Sequence, residues 1–194
     1  MPNYIPVNSG NNPLDKKSLI LPLDYQAAQA GVMYQVTTGS QTFNFALGGG
    51  FLLLQITIPA NSSKTIYVCE VSGGSLAYSF SLDVFINATF TATGTSLTPF
   101  NANSSFSNSS SMTVKWLKSS SDPTSGGTRI GSFSDVSGGL NAVLDGSTII
   151  TSASSAQTFY LRITNNGPAL STNRLVAGVS WWELPTGQKL FPNG

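Results

Sequence analysis

The clearest pattern in the chain is a strict alternation of apolar and mainly polar residues from Leu76 to Ile86. This period of two is typical of a β-strand with one buried face, whereas a helix would spread the same residues around its circumference. We predict that this strand supplies more of the core than any other stretch, on the order of 10 kcal/mol of burial before the entropy of ordering is subtracted. The apolar positions are Leu76, Tyr78, Phe80, Leu82, Val84 and Ile86.

Shorter patterns of the same kind predict roughly eight to ten strands in all. Turn residues separate them, with a tight turn expected at Ser72-Gly73-Gly74-Ser75 and a hinge or hairpin at Gly48-Gly49-Gly50. The only helical signal is a short one, Asp24 to Ala30. The sequence therefore predicts an all-β antiparallel β-sandwich of jelly-roll type. Strands are expected at residues 32–37, 41–47, 51–58, 64–71, 112–117, 157–164 and 174–183, with weaker signals at 129–133, 140–144 and 148–151.

The two ends of the chain differ from this β pattern. Residues 1–24 contain four prolines, which discourage both helix and central strand, and predict an extended N-terminal arm. Such an arm is either a disordered terminus or a segment laid along a neighbouring subunit. Its apolar end favours docking, through Leu19, Ile20, Leu21 and Leu23. The predicted organisation is arm 1–24, sandwich domain 25–184 and C-terminal tail 185–194.

Composition narrows the chemistry. Only 9% of residues are charged and the formal net charge is +1, so nothing predicts binding to nucleic acid or to an anionic membrane. The chain has no histidine, which excludes Ser-His-Asp and Cys-His catalytic groups and imidazole metal sites. We expect no cofactor and no metal. The single cysteine, Cys69, is predicted to be a small buried apolar residue.

Carboxylates and tryptophans are the remaining candidates for chemistry. Polysaccharide cleavage needs two facing carboxylates, and the eight acidic residues show no paired spacing, although sequence leaves a long-range pair such as Asp83 with Glu183 open. We predict Asp83 to be solvated or to face a subunit. Since neighbouring strand residues point to opposite faces, Trp181 is expected in the core and Trp182 at a rim or subunit interface.

Targeting signals are not evident. The start at Met1 lacks the basic and apolar regions of a secretory signal, and no apolar run is long enough to cross a bilayer. We therefore expect synthesis in a cytoplasm; if the protein works outside the cell, it would leave by another route, such as inside or upon an assembled particle.

Several motifs in the second half of the chain together resemble a group of small virion proteins of tailed bacteriophages. The resemblance covers residues 25–184. Two positions depart from its pattern: Ser104 stands where arginine is frequent, and residues 25–28 lack the histidines often found there. The motifs are Gly94-Thr95 with Leu97, Phe100-Asn101 and Asn103, a second turn at Gly127-Thr128, the strand Tyr160 to Asn165, and Trp181 with Glu183.

The resemblance implies a non-enzymatic β-sandwich on the virion, assembled as a homotrimer. Its partners would be the major capsid protein or other virion proteins, and its role capsid decoration or another head-associated function. The alternative is a tail-fibre or host-recognition module whose Ser/Asn-rich loop contacts a host glycan through Asn101, Asn103, Phe106 and Asn108. A polysaccharide-cleaving domain is the third interpretation.

Overall fold

A computed structural model describes residues 23–45, 49–135 and 139–188, which form two antiparallel six-stranded sheets. The prediction of an all-β sandwich is confirmed. One short helix, α1 (Leu23–Gln29), matches the predicted helical signal. The strands are β1 (Met33–Thr37), β2 (Gln41–Phe43), β3 (Phe51–Ile58), β4 (Lys64–Ser75), β5 (Phe80–Phe90), β6 (Thr95–Leu97), β7 (Phe100–Asn101), β8 (Thr113–Ser119), β9 (Thr124–Asp135), β10 (Gly139–Thr151), β11 (Gln157–Asn165) and β12 (Asn173–Pro185).

Most of the predicted arm and tail lies outside the described residues, and so do Leu19, Ile20 and Leu21. Leu23 and Asp24, which the prediction assigned to the arm, are instead the first residues of α1. Pro185, assigned to the tail, is the last residue of β12.

The strand order places sequence-distant segments side by side. Sheet A has the order β10-β4-β12-β1-β7, with β2 also paired to β12, and sheet B has the order β6-β8-β3-β11-β5-β9. From β3 to β5 and again from β9 to β12 the chain alternates between the two sheets. Each sheet is therefore completed by strands that are not neighbours in sequence.

The core lies between the facing surfaces of the two sheets. Strand β5 contributes Phe80, Leu82 and Val84 of its alternating pattern, whereas β3 and β12 contribute four core residues each. The prediction that this β5 stretch supplies more of the core than any other was therefore wrong. The predicted start of this strand was wrong, because residues 76–79 form a turn and Leu76 is 67% exposed. Other core residues are Leu52, Leu54 and Ile56 of β3, Val71 of β4, Leu161 and Ile163 of β11, and Ala177, Val179 and Trp181 of β12.

The predicted tight turn at residues 72–75 was also wrong, since this segment is the end of β4. Gly73 explains its glycines: a Cβ there would lie 2.4 Å from Leu82 Cδ1 and 2.9 Å from Ile163 Cδ1. Glycine in a strand interior often marks such a close approach. Glycine is needed here so that the two sheets can pack closely, and glycine is also common in turns, which is why the sequence suggested a turn.

A β-bulge at Cys69 sets which side chains of β4 enter the core. Ser180 of β12 pairs with Glu70 while Trp181 pairs with Val68, so Cys69 has no opposite residue. As a result Val68 lies in the core and Glu70 is exposed. Cys69 is buried, as predicted, in a small cluster with Ala27 of α1 and Met33 on the outer face of sheet A.

Candidate functional site

The asparagines of the Ser/Asn loop, residues 101–111, form hydrogen bonds that fix the loop to the rest of the chain. Asn101 Nδ2 and Asn108 Nδ2 donate to the same Gly31 carbonyl oxygen, over 2.8 and 2.7 Å. Asn108 Nδ2 also lies 2.8 Å from Tyr34 Oη. Asn103 accepts a 3.0 Å bond from the Ser105 amide through its Oδ1. The three asparagines proposed to contact a glycan thus make hydrogen bonds within the chain.

Phe106 is the apolar residue of this predicted recognition loop, and 42% of it is exposed. Its ring lies against Gly31, where a Cβ would stand 2.4 Å from the ring Cγ. Gly31 also has a φ of +68°, which favours glycine. The loop therefore places Asn101, Phe106 and Asn108 against the segment that joins α1 to β1, whereas Asn103 is hydrogen-bonded within the loop.

Glu183 anchors the other end of the Ser/Asn loop. Its carboxylate accepts hydrogen bonds from the Ser111 amide at 3.1 Å, from Trp181 Nε1 at 3.0 Å and from the Ser110 hydroxyl. Only 4% of Glu183 is exposed. Burial, and then the negative charge of Glu183, raises the pKa of Tyr34. This carboxylate has a structural task, for which the sequence carried no signal.

The two tryptophans of β12 occupy different environments. Trp181 is fully buried in the core, which confirms its predicted place. Trp182 is half-buried on the outer face of sheet A and stacks on Tyr67, with ring centroids 4.2 Å apart and an interplanar angle of 15°. It also packs against the Cys69 cluster beneath α1. A contact of Trp182 with a partner stays a prediction.

Asp83 is not solvated, contrary to the prediction, because only 4% of it is exposed. Its neighbours across the sheet are Arg162 of β11 and Ser132 of β9. Arg162 Nη2 donates over 2.8 Å and Ser132 Oγ over 2.7 Å, while Arg129 Nη1 lies 3.5 Å away. Strand pairing alone therefore creates an ion-pair network that sequence spacing could not reveal.

The electrostatics of this network favour its charged form. Burial by itself raises the pKa of Asp83, but the hydrogen bond from Ser132 and the hydrogen bond and charge of Arg162 more than offset it, so the pKa is lowered. Burial by itself lowers the pKa of Arg162, but the hydrogen bond and charge of its two carboxylate partners outweigh burial, so the pKa is raised overall. The second carboxylate is Asp122, hydrogen-bonded to Arg162 Nη1. Asp83 is thus held as a carboxylate rather than as a proton donor.

Residues 120–123 carry the chain from β8, on one side of sheet B, to β9 on the other. Asp122 forms an ion pair with Arg162, and at the end of the segment Thr124 Oγ1, in the first residue of β9, lies 2.9 Å from Tyr160 Oη. This crossing segment therefore lies over the outer face of the sheet. A second apolar cluster, which includes Leu53 and Phe85, is buried on that face. Burial raises the pKa of Tyr160 to about 12.

Asp83 and Glu183 therefore belong to separate networks. Asp83 lies on the outer face of sheet B, and Glu183 lies in sheet A, hydrogen-bonded to the core residue Trp181. They do not form the facing carboxylate pair of a glycosidase. In the part of the chain that the structure describes, no three His, Cys, Asp or Glu side chains gather as metal ligands.

A shallow groove of about 230 Å³ lies on the outer face of sheet A. It crosses β1, β12 and β4, the three central strands, and reaches Phe100 of β7. Sequence reasoning missed this groove, because its residues come from four separate segments. The polar residues that line it are Gln35, Thr37, Glu70, Ser72 and Ser180.

None of the helices in residues 23–45, 49–135 and 139–188 is long and apolar enough to cross a membrane. No protein-family model matches the chain, and a search of curated proteins finds no match either.

Proposed function

We propose that this protein is a non-enzymatic structural protein of a bacteriophage virion, a capsid decoration or head-associated subunit that acts through contacts with other subunits. The observation that carries the proposal is the unequal length of the sheet edges. On one side the sheets end in β6 and β7, of three and two residues. On the other they end in β9 and β10, of twelve and thirteen residues.

Long edge strands leave rows of backbone N–H and C=O groups ready to pair with another chain. Soluble monomers commonly block such edges with charged residues (above all lysine), with proline, with β-bulges or with short strands. Within the described residues β9 pairs only with β5 and β10 only with β4. Neither strand is short or contains lysine or proline, although both contain β-bulges and one or two charged residues. This supports use of the β9–β10 side as a subunit contact, and with it the proposed homotrimer.

Two further observations support the proposal. The orders β10-β4-β12-β1 and β3-β11-β5-β9 support a jelly-roll arrangement, which viral capsid domains use among others. The low fraction of charged residues suits extensive interfaces, whose cores are depleted in charge. The fold by itself does not assign a function, so the edge strands carry the argument.

The subunit contact is tested by the molar mass of the full chain in solution. Ile130 of β9 and Ile149 of β10 are exposed apolar residues on the long edges. We expect the wild type to be oligomeric and the double variant Ile130→Lys/Ile149→Lys to be monomeric. Leu170→Lys is the matched control, because Leu170 is 77% exposed in a turn away from both edges. A wild type that is monomeric at high concentration would contradict the proposal.

The place on the particle is tested by counting copies of the chain in purified virions of the encoding phage by quantitative mass spectrometry. A copy number close to that of the major capsid protein would support decoration of the shell. A handful per particle would favour the tail-fibre or host-recognition alternative, for which the exposed Phe106 is the specific observation. Absence from the virion would overturn both.

A further inference from the structure

The groove on the outer face of sheet A has a polar floor at the centre of a sheet. Ser180 and Gly178 lie on β12, with Gln35 on one neighbouring strand and Glu70 and Ser72 on the other. Phe100, on the edge strand β7, closes one side. These residues, from four strands, all line one depression.

Ser180 supplies the first sign that the groove is built to receive a group. Only 5% of Ser180 is exposed, and its hydroxyl finds no hydrogen-bond partner among the described residues. A buried hydroxyl without a partner is unfavourable by about 1–3 kcal/mol, so such atoms are rare in native proteins. A ligand hydroxyl, or the water it displaces, would satisfy this atom.

Gly178 supplies the second sign. A Cβ at this position would stand 2.7 Å from Ser72 Oγ, inside the groove. Any other residue would therefore push Ser72 aside or fill the depression. Glycine within a central strand weakens the strand, and it often marks a place where a ligand or another chain approaches the backbone.

The lining indicates what class of ligand fits. Phe100 is 52% exposed and offers an apolar ring face at the side of the groove. The polar groups are hydroxyls, an amide and one carboxylate, which together accept and donate hydrogen bonds. Among the residues that the structure describes, no lysine or arginine lines the groove, so a phosphate, sulfate or carboxylate would be repelled by the negative charge of Glu70. A volume of about 230 Å³ suits one small ring rather than a drug-sized molecule.

We propose that this groove binds one neutral sugar ring of a glycan, stacked on Phe100 and hydrogen-bonded to Gln35, Glu70 and Ser180. The groove is open along the sheet, so neighbouring sugars of a longer chain extend into solvent. This binding does not depend on the proposed subunit contact, because none of the lining residues whose side chains the structure describes belongs to β9 or β10. It also differs from glycan contact by the Ser/Asn loop.

Saturation-transfer NMR on the full chain tests the proposal directly. The probes are neutral oligosaccharides of glucose, galactose, mannose and N-acetylglucosamine, with polygalacturonate as the anionic comparison, each at millimolar concentration. We expect transfer to at least one neutral oligosaccharide and none to polygalacturonate. Absence of transfer to every neutral probe, or transfer to the anionic one alone, would overturn the proposal.

Variants locate the binding. Phe100→Ala is expected to weaken affinity about three- to tenfold through loss of ring stacking, and Ser180→Ala to weaken it as well. Phe106→Ala is the matched control, because it removes an exposed phenylalanine from the Ser/Asn loop. Gly178→Leu should abolish binding by filling the groove. Circular dichroism with thermal melting checks that this variant is folded.

If Phe106→Ala abolishes binding while Phe100→Ala does not, the loop is the site and the inference is wrong. A folded Gly178→Leu variant that keeps full affinity would overturn it too. The double variant Ile130→Lys/Ile149→Lys should bind the sugar as the wild type does. Failure of assembly and failure of sugar binding are therefore read out separately.

Discussion

The Ser111 amide lies 3.1 Å from a carboxylate oxygen of Glu183, so the end of the Ser/Asn loop is fixed to the last strand of the sandwich. The same carboxylate accepts the indole N–H of Trp181 from the core. One buried side chain thus joins loop, strand and core. Removal of its oxygens would leave several donors without an acceptor.

We predict that Glu183→Ala lowers the free energy of unfolding by about 2–4 kcal/mol, because the buried Trp181 indole N–H and the partly buried donors of Ser110 and Ser111 lose their acceptor. Urea unfolding measures this change. Glu70→Ala is the matched control on the same sheet, since Glu70 is exposed and its loss should change stability by no more than about 0.5 kcal/mol. Hydrogen exchange at Ser111 should also accelerate in Glu183→Ala alone. Equal stability of the two variants would contradict the assigned role of Glu183.

The Asp83 network predicts a pH-dependent stability. The pKa of Asp83 is lowered in the folded state, so its contribution is present above the unfolded pKa of about 3.9 and is lost as pH falls through the folded value. We expect Asp83→Asn to destabilise the protein by about 2–4 kcal/mol at neutral pH and by progressively less as the pH falls below about 3.9, measured by urea unfolding at neutral and at several acidic pH values.

Asp122→Asn is the control for that experiment. Asp122 pairs with the same Arg162 but its side chain is 32% exposed, so its loss should have a smaller effect at neutral pH. A stability difference between wild type and Asp83→Asn that does not change with pH would show that the carboxylate charge is not what stabilises the network.

Gly31 and Gly39 permit a comparison of backbone strain with side-chain clash. Both have φ near +65°, but only Gly31 has a ring where its Cβ would stand, whereas nothing lies within 4 Å at Gly39. We expect Gly39→Ala to lower stability by about 1–2 kcal/mol from strain alone, and Gly31→Ala to lower it further. In the Phe106→Ala background, which lacks the ring, Gly31→Ala should lower stability by no more than Gly39→Ala does in the wild type. If Gly31→Ala and Gly39→Ala are equally stable, Phe106 is not seated on Gly31.

Cys69 should be unreactive in the native protein. It is buried beneath α1 and burial raises the pKa of its thiol far above neutral, so little thiolate is present even in mildly alkaline solution. We expect a thiol reagent such as dithionitrobenzoate to modify Cys69 only after denaturation. The variant Cys69→Ser/Leu170→Cys, with the thiol moved to an exposed turn, should react at once. Rapid labelling of native wild type would mean that α1 opens readily.

Alternation of apolar and polar residues was sufficient to predict the fold class and most strands, because each strand of a sandwich buries one face. It failed where one residue type serves two purposes. Gly73 marks a close approach of two sheets, although paired glycines usually indicate a turn. The alternation was weak in β9, because most positions of this strand are exposed and few of them are apolar.

Long-range pairing explains what the sequence could not predict about the sites. Asp83 and Arg162 are far apart in sequence and adjacent only because β5 pairs with β11. The Ser/Asn loop could be recognised from composition, but the inward hydrogen bonds of Asn101 and Asn108 depend on where Gly31 lies. Likewise the exposure of Phe100 and the burial of Ser180 follow from sheet order.

The central position of β12 has a consequence for how the protein is made. In sheet A β12 lies between β1 and β4, and these two early strands contact their shared neighbour rather than each other. At about 5–20 residues per second, β1 waits on the order of ten seconds after its own synthesis before β12 leaves the ribosome. During that time β1 can pair only with its other neighbour, the two-residue strand β7. Sheet A therefore reaches its final strand order only after β12 has left the ribosome.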